Sequence, residues 1–454
     1  MEKLFGTDGM RGEANQFPMT PEVMVKMGVA IGTLLPKRPP GVIIGHDGRL
    51  SGQMLEHGLT AGVLASGTPV LSAGLLPTPA IAFLTHTHRA QAGIMISASH
   101  NPARDNGIKI FSDDGFKLPD ELEYRLEQAV LNADQPLESR PNGAALGTHR
   151  HLADGREHYS DHILQSVFAD DHPNLQGLHI VVDCANGAAS VLAPRVFQRL
   201  QAQVTELFAA PDGLNINQQC GALHPERLQT RVVQAQADLG LAFDGDADRL
   251  ILVDEHGAIV DGDQILAMLA LDLAQHQQLV HNTVVATVMS NVGLEIALQT
   301  ADISLVRTPV GDRHVVEQMR QIGAMLGGEQ SGHVVMFQHG TTGDGLVAAL
   351  AVLRLMSVSG RSLSELAACM RHFPQTLVNI PVSVRRPLAE MEAVQHAMQQ
   401  AERELGTRGR LLVRYSGTEL LARVMVEAED EQTVTRIAEM VAAPLREAIG
   451  RSSG

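Results

Sequence analysis

The chain has 454 residues, 44% apolar and 19% charged, with a formal net charge of −16. Its length exceeds one ordinary hydrophobic core, so about three domains are expected, and its composition excludes a disordered chain. The charge argues against nucleic acid or an anionic membrane as partner, and no stretch approaches the roughly 18 unbroken apolar residues of a membrane helix.

The N-terminus shows no basic region leading into an apolar segment, so no secretory signal is expected. Cys184, Cys220 and Cys369 share no metal-ligand or redox spacing. An odd count in a chain this long fits a reducing compartment, and the cytoplasm is the default. Every lysine (Lys3, Lys26, Lys37, Lys109, Lys117) falls in the first 117 residues, and the cations beyond are arginines, which suit forked phosphate contacts.

In chain order, the recurring pattern is an apolar β-branched run, a Gly/Asn/Asp turn and a helical stretch. Residues 42–45 enter His46-Asp47-Gly48-Arg49, residues 179–183 enter Cys184-Ala185-Asn186-Gly187, and residues 283–287 enter Ser290-Asn291-Val292-Gly293. Three such units predict three related α/β domains. Polar, turn-rich composition around 134–158 sets a first boundary near 150, the Asp254-Glu255-His256-Gly257 turn a second, and the segment from Pro374 to Pro387 a third. The remainder reads as helix, strand, strand and helix. The expected domains are therefore 1–150, 151–253, 254–373 and a smaller α+β domain at 374–454.

Four segments carry chemistry. At Ser97-Ala98-Ser99-His100-Asn101-Pro102 an apolar strand delivers a serine to a turn, and Ile108-Lys109-Ile110 returns a lysine toward it. By itself such a serine is ordinary turn chemistry. At Asp244-Gly245-Asp246-Ala247-Asp248-Arg249 carboxylates recur at i, i+2 and i+4, which share one face of an extended chain. Such carboxylates repel unless a cation sits among them, and all-oxygen ligation suits Mg²⁺ or Ca²⁺. An EF-hand fails because Arg249 stands where its turn glycine belongs, so Mg²⁺ is expected. Gly327-Gly328-Glu329-Gln330-Ser331-Gly332-His333 offers an acceptor, a hydroxyl and a titratable ring to a polyhydroxylated ligand. Arg414-Tyr415-Ser416-Gly417-Thr418-Glu419 offers a phosphate cradle or a capped hairpin loop. No Gly-Lys pair marks a P-loop.

Taken in order, these motifs make the sequence resemble the α-D-phosphohexomutase family over essentially its whole length. That family has three related α/β domains with mixed sheets plus a smaller α+β C-terminal domain, around a central cleft. The opening Phe5-Gly6-Thr7-Asp8-Gly9-Met10-Arg11-Gly12, and Gln330 in the third loop, look like the branch acting on glucosamine phosphates.

The resemblance implies an isomerase that interconverts glucosamine 6-phosphate and glucosamine 1-phosphate through a phosphoserine and glucosamine 1,6-bisphosphate. Ser99 would be the carrier, and with Asp244, Asp246 and Asp248 it would hold one Mg²⁺. Lys109, Arg11 and His100 would neutralise the phosphate or shuttle the proton. Arg249, Glu329, Ser331 and His333 would meet the sugar, and Arg414, Ser416, Gly417 and Thr418 the phosphate not being transferred. Leu420 departs from the family, which commonly has proline there. The partner is then a small sugar phosphate, not nucleic acid or membrane, and a homodimer is compatible. Alternatives are a phosphomannomutase/phosphoglucomutase of the same fold and a non-catalytic sugar-phosphate-binding regulator.

Overall fold

In the N-terminal third of the chain, five consecutive residues of strand Ala92–Ile96 are buried on both faces, which demands helices above and below the sheet. A computed structural model describes residues 4–6, 8–132, 141–168, 175–416 and 420–449. It divides into two compact units, Met1–Met289 with Asp302–Cys369, and Ser290–Ala301 with Met370–Gly454.

The first unit holds three mixed sheets built on one plan. In each, a central strand has a parallel neighbour on either side, and the chain leaves the later neighbour by a loop into an antiparallel strand. In the first sheet the central strand is Val42–His46, its neighbours are Val70–Leu75 and Ala92–Ile96, and the antiparallel partner is Asp105–Phe111. The second sheet repeats this with His179–Asp183, Gln203–Leu207, Leu239–Phe243 and Leu250–Asp254. The third uses Thr283–Thr287, Ser304–Thr308, Leu326–Gly328 and Val334–Met336. In open α/β sheets the crevice where strand order reverses, at the carboxyl ends, is where ligands bind. The loops carrying Ser99, the three aspartates and Glu329 all leave a strand at that place.

The packing follows from sequence pattern. Ile44, Ile94 and Ile96 of the first sheet pack with Met24, Met27, Leu55 and Leu59 of its covering helices. Full burial of each such side chain contributes about 1.5–3 kcal/mol. At the far edge, His149–His151 is exposed at all three residues, the polar composition expected of an unpaired strand edge.

The second unit is an antiparallel sheet ordered Gln375–Pro381, Leu421–Glu427, Arg410–Tyr415. The helices Glu392–Leu405 and Glu431–Ile449 pack with it, Val434, Ile437, Val441 and Leu445 repeating at helical spacing. One element was not expected here. The helix Val292–Gln299 follows the third sheet's central strand in sequence, yet it joins this unit. Asn291 bonds Phe373 through both main-chain groups, and Val292 N donates to the buried Glu427 at 3.0 Å. Hydrogen-bond partners about 80 to 135 positions away, not local pattern, decide where this helix belongs.

Candidate active site

Ser99 is the pivot. Strand Ala92–Ile96 ends at Ile96, and Ser99 then takes φ +50°, a left-handed conformation that side chains larger than glycine rarely adopt. This turn aims the Ser99 hydroxyl at Asp244, with Oγ donating to Oδ2 at 2.6 Å. His100 Nδ1 lies 3.2 Å from Ser99 Oγ. Ser99 is only 1% exposed.

Asp244, Asp246 and Asp248 bring one carboxylate oxygen each within 4.8 Å of one another, all buried. They converge on a curled backbone, which the small spacers Gly245 and Ala247 permit. The loop is a turn in which Ala247 adopts φ +56°, so the carboxylates meet because the backbone curls. Lys109 comes in from the antiparallel strand Asp105–Phe111, its Nζ 2.9 Å from Asp246 Oδ2 and 2.7 Å from Asp248 Oδ2. Thr78 also donates to Asp246 Oδ2, at 2.5 Å.

Charge within this cluster is unevenly held. Burial opposes the Lys109 charge, but Asp246, Asp248 and Asp8 outweigh it and hold the ammonium well above its ordinary range. Burial likewise opposes ionisation of Asp248, yet Lys109 keeps it well below the usual carboxylate range. Burial beside Asp248 and Asp246 pushes Asp244 up to about 8, against the opposing pull of Arg249 and the Ser99 hydrogen bond. Asp246 Oδ1 and Asp248 Oδ1 are buried and accept no hydrogen bond among the described residues. Buried acceptors are normally satisfied. Orphaned carboxylate oxygens on a convergent all-oxygen set fit a hard divalent cation, so these residues suit Mg²⁺.

A cleft of about 600 Å³ opens beside the cluster, lined by residues of all three sheet domains of the first unit. Arg11, His100, Asp248, Arg249, Glu329 and His333 line it, so six residues expected at the site face one space. Burial, then the charges of Arg249 and Arg11, push His100 down to about 4, so it is a neutral imidazole at physiological pH. His333 is the reverse. Burial opposes its charge, but Asp248 Oδ1 and Asp312 Oδ2, each 3.7 Å from the ring, help raise its pKa. Glu329 Oε1 accepts from Gly311 N at 3.0 Å, and Ser331 donates to Oε2 at 3.4 Å. Gln330 donates from Nε2 to Asp261 Oδ2 at 3.2 Å, so it ties this loop to the cap of helix Gly262–Gln275.

Three residues at or beside the cleft were missed from sequence. Asp8 bonds Arg11 and Lys117, and lies 3.6 Å from Lys109 Nζ. Lys117 reaches Asp312, and both Asp8 and Asp312 line the cleft. The helix Asp312–Ile322, which begins at Asp312, is held to the first sheet domain by Arg313, whose fork meets both oxygens of Glu123 at 2.6 and 3.0 Å. An acidic residue inside the opening octapeptide was the available signal for Asp8. Nothing local marked Lys117 or Asp312.

In the second unit, Arg414 stands at the end of strand Arg410–Tyr415 and Ser416 follows it, buried. Gly417 and Thr418 lie outside the described residues.

Family models described as phosphoglucomutase/phosphomannomutase alpha/beta/alpha domains I, II and III match residues 2–137, 157–257 and 261–373, and that of the C-terminal domain matches 377–443. A relative from Anaeromyxobacter dehalogenans, named phosphoglucosamine mutase, is 50% identical over 99% of both chains. Another of that name, from Nitratidesulfovibrio vulgaris, is 51% identical over 97% of this chain and 98% of its own. Among solved structures, a phosphoglucomutase/phosphomannomutase family protein from Burkholderia thailandensis aligns with TM-score 0.82 at 24% identity, covering 98% of this chain and 97% of its own. An N-acetylphosphoglucosamine mutase from Aspergillus fumigatus, in complex with GlcNAc-6P and magnesium, aligns with TM-score 0.69 at 19% identity, covering 98% of this chain and 96% of its own. With its four domain models matched in order and half its residues shared with full-length relatives, the chain belongs to the phosphoglucomutase/phosphomannomutase family.

Proposed function

We propose that this protein is an isomerase that interconverts glucosamine 6-phosphate and glucosamine 1-phosphate through a phosphorylated Ser99 and a glucosamine 1,6-bisphosphate intermediate, supplying UDP-N-acetylglucosamine synthesis. The observation that carries the chemistry is the Ser99 hydroxyl, held 2.6 Å from Asp244 beside a buried cationic lysine. The choice of amino sugar rests on the relatives named phosphoglucosamine mutase at 50% and 51% identity.

Phosphoserine is a stubborn donor, because its leaving group is an alkoxide. A sugar hydroxyl oxygen bonds to phosphorus as the bond from phosphorus to Ser99 Oγ breaks, and the hydroxyl's proton is passed on as Oγ becomes a hydroxyl again. The bisphosphate then turns round, Oγ takes the other phosphoryl group, and the proton returns to the sugar oxygen. Lys109 and Arg11 offset the charge of the transferring group. His100, neutral and 3.2 Å from Oγ, is placed to take or give the proton. Phospho-Ser99 and the three aspartates would hold one Mg²⁺, which would supply charge stabilisation to the phosphate oxygens. Arg249, Glu329, Ser331 and His333 serve the sugar, and Arg414, Ser416, Gly417 and Thr418 the phosphate not being transferred.

The division of labour is part of the same proposal: residues 1–150 carry the phosphoserine, 151–253 the metal loop, 254–373 the sugar loop and 374–454 the phosphate loop. A cytoplasmic location accords with three free cysteines. None of the described helices is long and apolar enough to cross a membrane. A homodimer is compatible with the reading and is checked by sedimentation velocity.

Substrate competition tests the assignment. Glucosamine 6-phosphate should be preferred over mannose and glucose 6-phosphates by at least roughly tenfold in kcat/KM, about 1.4 kcal/mol of discrimination. Equal turnover of mannose 6-phosphate would move the protein to the hexose branch, and no turnover of any of them would leave a sugar-phosphate-binding regulator. Exhaustive chelation should abolish turnover and added Mg²⁺ restore it. An enzyme fully active without divalent cations would refute the metal assignment.

A further inference from the structure

We propose that Arg49 and Asn217 are positioning residues that clamp the Ser99 carbonyl and thereby set the hydroxyl against the aspartate cluster. The proposal rests on the reading of Ser99 as phosphoryl carrier.

Arg49 follows the central strand Val42–His46, and its side chain is fully buried. A buried guanidinium is tolerated only when paired and hydrogen-bonded throughout. All five of its N–H groups are used, and four go to one loop. Nε donates to Asp47 Oδ2 at 2.8 Å. Nη1 donates to the carbonyls of Pro102 at 2.5 Å and Asp105 at 3.0 Å. Nη2 donates to the carbonyls of Ser99 at 2.9 Å and Asn101 at 2.8 Å. Asp47 is itself fixed by Ser97, whose hydroxyl donates to Oδ2 at 2.7 Å and accepts from Ser99 N at 2.8 Å. The amide and the carbonyl of Ser99 thus answer to one ion pair.

The second clamp comes from the domain that holds the aspartates. Asn217 Nδ2 donates to Ser99 O at 2.8 Å and to Asn101 O at 3.0 Å. Ser99 O therefore has a donor from each of two domains. Gly245, between Asp244 and Asp246, makes room for this meeting: a Cβ there would lie 2.6 Å from Ser99 O and 2.9 Å from Asn217 Nδ2.

Left alone, a serine prefers other backbone angles than φ +50°. Two clamps on its carbonyl hold that conformation and fix the register between the serine loop and the aspartate loop. A misplacement of about 1 Å between reacting groups can cost on the order of 100-fold in rate. Neither residue reaches the Ser99 hydroxyl in the structure, so both act through the backbone.

Asn217→Gly tests the idea cleanly, because Asn217 sits at φ +57°, where glycine fits without strain, and its main-chain bond to Ala185 O is retained. The expected result is a fall in kcat of about tenfold, with KM for glucosamine 6-phosphate within twofold. Single-turnover labelling of Ser99 by ³²P-glucosamine 1,6-bisphosphate should slow in parallel. Arg49→Ala should cost at least about 100-fold in kcat, partly restored by millimolar guanidinium chloride and not by ammonium chloride. Should Arg49→Ala fail to fold, Asn217→Gly decides alone. An Asn217→Gly enzyme with unchanged kcat per folded molecule and unchanged labelling overturns the proposal. Absence of mutase turnover in the unsubstituted enzyme would instead overturn the functional reading.

Discussion

Ser99→Ala should lower kcat by at least about 10³-fold and remove the phosphoryl group from the purified protein. The magnitude follows from the non-additive loss seen whenever a covalent carrier is deleted, since the remaining cations then have no group to transfer. Alanine leaves Asp244 Oδ2 without its 2.6 Å donor. An unpaired buried acceptor costs about 1–3 kcal/mol, so the variant should be weakened but folded. Intact-mass spectrometry reads the phosphate, and steady-state assay with glucosamine 6-phosphate reads the rate. Phosphate persisting at a second site, together with near-normal turnover, would remove Ser99 from its role.

Lys109→Met should be the most damaging substitution for stability at this site. The ammonium is 1% exposed and holds carboxylates of Asp246 and Asp248 at 2.9 and 2.7 Å. Methionine has similar reach and leaves those carboxylates crowded and uncompensated. Deleting one partner of a buried ion pair typically costs about 3–5 kcal/mol. Because the bare carboxylates gain most from a cation, Mg²⁺ should raise the variant's melting temperature more than it raises that of the unsubstituted protein. Turnover should fall by roughly 100- to 1,000-fold as well, the usual effect of losing one charge stabiliser from a phosphoryl-transfer site. Differential scanning calorimetry with and without Mg²⁺ checks the first outcome, and the mutase assay the second. A variant with unchanged melting and rate would mean that Lys109 is an incidental neighbour of the aspartates.

Much of the site was legible because its chemistry is written locally. Ser99, the three aspartates, Lys109, Glu329 and His333 each sit in a loop or strand whose pattern survives in a short window of sequence. The strand Ala92–Ile96 is readable as a buried run, and a turn must follow where Pro102 bars continuation. The aspartate spacing predicted convergence, and the small spacers Gly245 and Ala247 permit the curled turn, with Ala247 at φ +56°, that gathers them. Spacing limits which groups can meet, while dihedral angles decide how.

By itself, then, the sequence determined the strand–loop–helix repeats, the loops that bear reactive groups and the chemical character of each loop, because these depend on near neighbours and on hydrophobic period. The tertiary structure alone decided which loops share a cleft and which charges lie inside it. Lys109 meets Asp246 across 137 positions, Lys117 meets Asp312 across 195, and Asn217 meets Ser99 across 118. A charge reads the same in sequence whether it ends on the surface or in the interior. Burial then makes an unpaired ion costly enough that Asp8, Lys117 and Asp312 must find one another, and that cost appears only when the sheets are packed.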